Sequence, residues 1–340
     1  MLILLAIIAG AGLGYLFERG DFCFHSTLRG LFRFPRQLDL FRAYLLALLI
    51  ATPLVYGMRT LSWIDPWIPP FAWQANIFGG LVFGVGMVVA ASCITGLFYK
   101  LGHGMLGTLV GLGAWAVGDI LVYRSALAPL REQLTAAPLM VEGSSATVLN
   151  LFGPIGAILL VVFGAAAAIW LWRSNGRTSM SRGKLWGWLP LGIGVGIFTS
   201  LAWLLAKAGG SNYPYGTSYV PTAVYEAIFD GSDLSLWIPI ALISLIPGAY
   251  IAAKRSGTLW VRGENLRRYI ELALGGFLMG VGAAFAGGCN LGHSLIGVPL
   301  LSLGSISTTL AIAVGVLLAH QTARLFSSRR KEQPSLIGSA

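Results

Sequence analysis

The sequence predicts an all-α polytopic membrane protein with about nine transmembrane helices, short re-entrant half-helices and inverted pseudo-symmetric repeats. Three observations predict it. The first is composition: of 340 residues, 56% are hydrophobic and only 11% charged, whereas a soluble domain carries about 25% charged residues. The second is a series of apolar stretches near the length of about 20 residues that a bilayer-spanning helix needs. The third is a fifteen-residue pattern that occurs twice, 196 residues apart.

The apolar stretches fall at roughly residues 1–17, 40–58, 75–91, 104–123, 148–172, 186–207, 236–253, 270–286 and 300–323. The first, third and eighth are short. No A-x-A cleavage site follows the first, so it reads as a retained helix and not a signal peptide. The stretches form one transmembrane domain, residues 1–326, with halves 1–172 and 186–326 joined by a linker, 173–185. A short cytoplasmic tail, 327–340, follows.

The net charge of +10 is a topology signal. Arg19, Arg29, Arg33, Arg36 and Arg42 lie between the first two helices. Arg173, Arg177, Arg182 and Lys184 lie between the fifth and sixth. Lys254, Arg255, Arg262, Arg267 and Arg268 lie between the seventh and eighth, and Arg324, Arg329, Arg330 and Lys331 at the C-terminus. The opposite side holds only Arg59, Arg124, Arg131 and Lys207, and Lys100 sits in a break between helices. Cationic loops stay in the cytoplasm. This orients the chain with its N-terminus outside and its C-terminus inside. The basic excess is then matched to a lipid bilayer and not to nucleic acid.

The repeated pattern reads GGLVFGVGMVVAASC at 79–93 and GGFLMGVGAAFAGGC at 275–289. Gly79/Gly275, Gly80/Gly276, Gly84/Gly280, Val85/Val281, Gly86/Gly282, Ala90/Ala286 and Cys93/Cys289 are identical. With nine spans the third helix runs inward and the eighth outward, so the two copies are inverted. Transporter sites built from such repeats lie near the bilayer midplane.

Four polar or Gly-rich segments interrupt the apolar pattern: RGDFCFHSTLRG (19–30), ASCITGLFYKLGHG (91–104), AGGSNYPYGTSYVP (208–221) and GGCNLGHSLIG (287–297). Irregular backbone survives at membrane depth only when it is buried in protein or lines a wet cavity. The second and fourth segments look like half-helices or spans stopping at mid-depth, and the third reads equally well as an external loop.

The three cysteines, Cys23, Cys93 and Cys289, all fall in these breaks. Four readings stand. They are small buried hydrophobes. They form a disulfide, which an odd number and differing depths disfavour. They bind metal with neighbouring histidines, although no C-x2-C pair exists. Or they recognise a soft, sulfur-containing anion: a buried thiol stays neutral, and a weak S–H donor holds an anion without trapping it.

The polar neighbours divide similarly. Asn290, Gly292, His293 and Ser294 form the richest donor cluster. His25 and His103 are N–H donors or satisfied helix-end residues, and His320 reads as structural. Tyr213 and Tyr215 offer hydroxyls or belong to an aromatic belt. Glu18 and Asp21 are expected to pair locally with Arg19. The only carboxylates within spans, Asp119 and Glu271, lie near helix ends, which argues for passive or partner-drawn flow. No G-x4-G-K-[ST] motif occurs, and no catalytic residue, cofactor or metal is expected.

The motifs DFCFHS, ASCITG and GGCNLGHS, with the paired G-V-G-x3-A-x2-C segments, resemble the YeeE/YedE sulfur-transport family over essentially the whole chain. The resemblance implies an hourglass-shaped helical protein with pseudo-symmetric halves and inward-pointing loops. It implies thiosulfate uptake by S–H···S contacts to three cysteines, which match Cys23, Cys93 and Cys289, with Cys93 in the central place. It also implies, in some members, a small TusA-like cytoplasmic sulfur-carrier partner, and in others an association with selenium. The expected substrate-binding set is therefore Cys23, Cys93, Cys289, Asn290, Gly292, His293, Gly96, Ser211, Asn212 and Tyr213. The alternatives are another sulfur or selenium species, or a membrane protein that handles metal or redox chemistry through Cys and His.

Overall fold

The computed structural model describes residues 2–174 and 180–332. Arg177 of the basic linker and residues 333–340 of the tail lie outside the described residues. In chain order the helices are α1 (Leu2–Gly20), α2 (Phe24–Phe32), α3 (Asp39–Thr60), α4 (Trp73–Val89), α5 (Ile94–His103), α6 (Thr108–Arg124), α7 (Ala128–Thr135) and α8 (Val148–Trp172). They continue with α9 (Trp188–Ala208), α10 (Val220–Phe229), α11 (Trp237–Ser256), α12 (Leu266–Ala286), a π-helical turn at Leu291–Gly297, and α13 (Leu303–Glu332). Two-residue hairpin strands precede α8 and α9. The protein is thus an all-α polytopic membrane protein.

Eight segments are long and apolar enough to cross a bilayer; α6, bent by 72° into α7, makes a ninth. The nine apolar stretches of the sequence coincide with α1, α3, α4, α6, α8, α9, α11, α12 and α13. Two spans are interrupted: α1 with α2 covers Leu2–Phe32, and α4 with α5 covers Trp73–His103.

Small residues set the packing. α4 and α12, which carry the two copies of the repeat, run antiparallel and touch glycine to glycine. A Cβ on Gly79 would lie 2.6 Å from the Gly282 carbonyl oxygen, and one on Gly275 would lie 2.7 Å from that of Gly86. Each contact is the counterpart of the other. Other glycines of the same repeat let α13 lie along α4 and α6 along α12: Gly84 meets Ile312 as Gly280 meets Trp115. Likewise α1 packs on α11 and α3 on α9, with α1 also touching α9. Close backbone approach of this kind holds helices together where lipid removes the hydrophobic drive. α8 stands outside the pattern, with only 11% of its apolar window buried, and touches α3.

Contacts between loops sort helix ends onto two faces. On one face, Met105 pairs with Arg262 and Arg19 donates to Ser256. On the other, Phe71 pairs with Leu139, Thr147 with Ser302, and the Trp67 amide donates to the Asn212 carbonyl.

Candidate functional site

One backbone device makes every break that holds a cysteine. In each, a helix ends on a left-handed residue: Asp21 (φ 48), Ala91 (φ 45) and Gly287 (φ 78). The next amide donates to the carbonyl five residues back: Phe22 to Phe17, Ser92 to Met87, and Gly288 to Ala283. This is the helix-ending hydrogen bond of the Schellman type. The cysteine follows one residue later. Its carbonyl accepts the amide four residues on: Thr27 to Cys23 at 2.9 Å, Leu97 to Cys93 at 2.9 Å, and His293 to Cys289 at 2.8 Å. Each cysteine therefore stands at the N-terminus of a new helical segment, where unsatisfied amides and the helix dipole favour an anion. α9 ends in the same way: Gly210 is left-handed and Ser211 donates to Ala206. The residue in the cysteine place there is Asn212.

The first two breaks meet. The Cys23 and Cys93 sulfurs are 3.5 Å apart. The Cys93 amide donates to the Cys23 sulfur at 3.4 Å, and the Gly96 amide donates to the Cys93 sulfur at 3.3 Å. The different depths expected for these breaks are corrected here, because α1 and α4 end on the same level of the bundle. The pair is nonetheless unbonded: all three cysteines are free and buried, and a disulfide needs about 2.05 Å. A cross-brace holds the two breaks in register, with His103 against Glu18 at 2.6 Å and the Tyr99 hydroxyl donating to Asp21 at 2.9 Å. The expected local pairing of Glu18 and Asp21 with Arg19 is therefore corrected. Consecutive residues point to different sides of a helix, so each side chain finds its partner on another segment.

Gly96 is a matter of space. A Cβ there would lie 2.5 Å from the Ser92 hydroxyl, 2.9 Å from the Cys23 sulfur and 3.3 Å from the Cys93 sulfur. These are short side chains that can rotate, so Gly96→Ala should fold while the sulfurs are driven apart. We expect a melting midpoint within about 2 °C of the wild type for this variant; a fall well beyond that would show that the sulfurs cannot give way.

The third cysteine sits by the π-helical turn. The amides of Leu291 and Gly292 and the Thr217 side chain face its thiol, although the Thr217 hydroxyl has no partner at full hydrogen-bond geometry. The Asn290 side-chain oxygen is also buried and unpartnered. His293 is fully engaged, with Ser305 on one ring nitrogen at 3.0 Å and the Ala286 carbonyl on the other at 3.1 Å. It holds the end of α12 in place. The Tyr213 hydroxyl donates to the Gly292 carbonyl at 2.7 Å. Ser211 is spent on the backbone of Tyr213. The Tyr215 hydroxyl donates to the Ala9 carbonyl at 2.7 Å, which corrects the expectation that it offers a hydroxyl to an anion: its ring is fully buried between helices. Burial raises both phenols well above their ordinary value, so they stay protonated.

A cavity abuts each end of this constellation. One, of about 550 Å³, is lined by Gly288, Gly292 and His293 beside Cys289, and by Asn212, Tyr213 and Arg131. The other, of about 530 Å³, is lined by Asp21 and Ser26 beside Cys23, and by Arg29, Arg33, Arg36 and Arg42. The three cysteines are at most 1% exposed and belong to one buried core. They are packed in, yet each end of their set borders a cavity.

The description "Sulphur transport" matches residues 19–318. This chain belongs to the sulphur transport family. Among relatives of this family member, the thiosulfate transporter TsuA of Spirochaeta thermophila is 28% identical over 320 residues, which is 91% of this chain and 95% of that protein. TsuA of Escherichia coli K12 is 28% identical over 314 residues, 87% of each. The probable transporter YedE of Salmonella typhimurium is 31% identical over 179 residues, 50% of this chain and 41% of that protein.

Sequence reasoning overlooked Ser92, Thr217 and Asn76, and it placed Lys100 in a break without giving it a role. Asn76 donates to the Ala286 carbonyl at 3.2 Å, and its side-chain oxygen is buried and unpartnered. A lone amide within an apolar span was the available signal. Asp119, expected at a helix end, accepts the Tyr219 amide at 2.9 Å and the Thr222 hydroxyl at 2.7 Å. It caps α10. Glu271 pairs with Arg267 and Arg268. Among the described residues, no three His, Cys, Asp or Glu side chains converge as a metal site would require.

Proposed function

We propose that this protein is a permease for thiosulfate uptake across the inner (plasma) membrane, with its N-terminus outside and its C-terminus cytoplasmic. The dianion enters the cavity beside Cys289, passes the neutral thiols of Cys289, Cys93 and Cys23, and leaves by the arginine-lined cavity. The observation that carries this reading is the repeated break: each cysteine stands at the start of a new helical segment, and two of the sulfurs are in contact. Neutral thiols and helix amides attract a dianion without holding it as tightly as a fixed charge would. Asn290, Gly292, Gly96, Asn212 and Tyr213 shape the passage, while His293 and Ser211 brace its loops.

The halves are proposed to be an inverted repeat of four spans each, with α8, which the sequence reading placed in the first half, as an odd span between them. An odd linker makes the second half start on the opposite side of the membrane, and the reciprocal contacts between α4 and α12 support that arrangement. Two cavities separated by a closed middle suit an hourglass shape. A small TusA-like cytoplasmic carrier is the proposed receiver of sulfur at the inner face. The role is transport without chemical conversion.

The test is uptake of labelled thiosulfate into proteoliposomes holding only this protein. Saturable uptake without ATP is expected, blocked by unlabelled thiosulfate and poorly by sulfate, whose oxygens are hard. Competition by selenite alone would point to a selenium species instead. Absence of uptake, or sulfate competing as well as thiosulfate, would overturn the reading.

A further inference from the structure

Lys100 lies two turns after Cys93 on α5, on the face that carries Cys93 and Gly96. Its ammonium donates to the Ser92 hydroxyl at 3.2 Å. That hydroxyl lies 4.0 Å from the Cys23 sulfur and donates to the Cys93 carbonyl at 3.3 Å. The nearby carboxylates are taken: Glu18 by His103 and Asp21 by Tyr99. Among the described residues, no carboxylate comes within ion-pair distance of Lys100; each observed ion pair uses other residues. Lys100 is half-buried, and its charge reaches both Cys23 and His25.

A cation without a counter-ion inside a membrane protein is expensive and marks function or a missing partner. The groups around Lys100 supply one hydroxyl and two sulfur atoms, and no carboxylate among the described residues. A doubly charged anion held between the sulfurs would supply what is lacking. The repeat has no equivalent on the other side: the matching position is Ile296. The charge therefore belongs to the Cys23–Cys93 end alone, next to the arginine-lined cavity.

We propose that Lys100 is the counter-charge for the transported dianion, binding it as it leaves the Cys23–Cys93 pair and exchanging its bond to Ser92 for one to the anion. This rests on the transport reading above. Lys100 is a binding residue for thiosulfate, and it biases release toward the inner cavity.

The full chain carrying Lys100→Met or Lys100→Arg is reconstituted in proteoliposomes, and labelled thiosulfate uptake is followed against concentration. Thermal unfolding of the detergent-purified proteins is measured with and without thiosulfate. Lys100→Met should raise the half-saturating concentration at least about tenfold, and Lys100→Arg should restore it to within about threefold. Thiosulfate should raise the melting midpoint of the wild type and not that of Lys100→Met. Without thiosulfate, Lys100→Met should be at least as stable as the wild type, because a lone charge has been removed.

Wild-type half-saturation and a wild-type thiosulfate shift in Lys100→Met would overturn the proposal. So would equal impairment of Met and Arg variants, or a Met variant that does not fold while Arg folds and fails to transport. Cys93→Ala separates the two readings. If it abolishes uptake while Lys100→Met behaves as wild type, only the role of Lys100 falls. If it transports as wild type, the thiol path itself falls.

Discussion

Replacing Cys93 with alanine abolishes thiosulfate uptake and leaves a folded protein in the membrane: this is the expected result with the largest effect on transport. Cys93 has a contact on each side. Its amide donates to the Cys23 sulfur, and its own sulfur accepts from the Gly96 amide and touches Cys23. Alanine removes the sulfur and keeps the backbone bonds, so the break retains its shape. The cavity left is that of a single atom, and the stability loss should stay near 1 kcal/mol, below the range for larger core truncations. The anion would then face a gap in the row of soft contacts where two sulfurs now meet. A drop of about a hundredfold or more in proteoliposome uptake, at equal protein per vesicle, is expected. Cys93→Ser, which keeps a donor but loses the polarisable sulfur, should recover little. Wild-type uptake by either variant would remove the cysteines from the path.

The second large effect is on folding. Gly79→Val and Gly275→Val should each prevent α4 and α12 from closing, and to the same degree. The added side chain at Gly79 would press on the Gly282 carbonyl and the Ala286 backbone, and at Gly275 on the Gly86 carbonyl and the Ala90 backbone. Those are main-chain atoms, which cannot rotate away. Overpacking typically costs 1–3 kcal/mol and occasionally more, and here it opens a contact shared by two spans. A fall of about 10 °C in the melting midpoint, or loss of monodisperse protein on extraction, is expected for both. Gly113→Val is the control, because a Cβ there meets open space. Unequal effects at Gly79 and Gly275 would argue against equivalent halves.

Much of the fold was legible in the sequence. Apolar length alone located the long spans, since a span needs a fixed number of residues whatever its neighbours. The duplicated glycines marked α4 and α12, and the structure adds that they touch each other. The breaks were legible as places, through Asp21, Gly287 and their polar neighbours. Their contents were read less well. Tyr215, Glu18 and Asp21 looked like candidate ligands or a local ion pair, and each has a partner far along the chain. Lys100 was legible as a charge within a break, but nothing in its own segment says that Ser92 and Cys23 stand over it.

The sequence by itself determined the membrane class, the spans, the repeat and the three cysteine positions, because hydropathy and periodicity are local properties. Only the tertiary structure decided that Cys23 and Cys93 are neighbours, that Cys289 stands beside the opposite cavity, and that Lys100 lacks a carboxylate partner among the described residues. Those facts depend on which helix ends share a level, and that is set by backbone contact between segments more than two hundred residues apart, which no local pattern records.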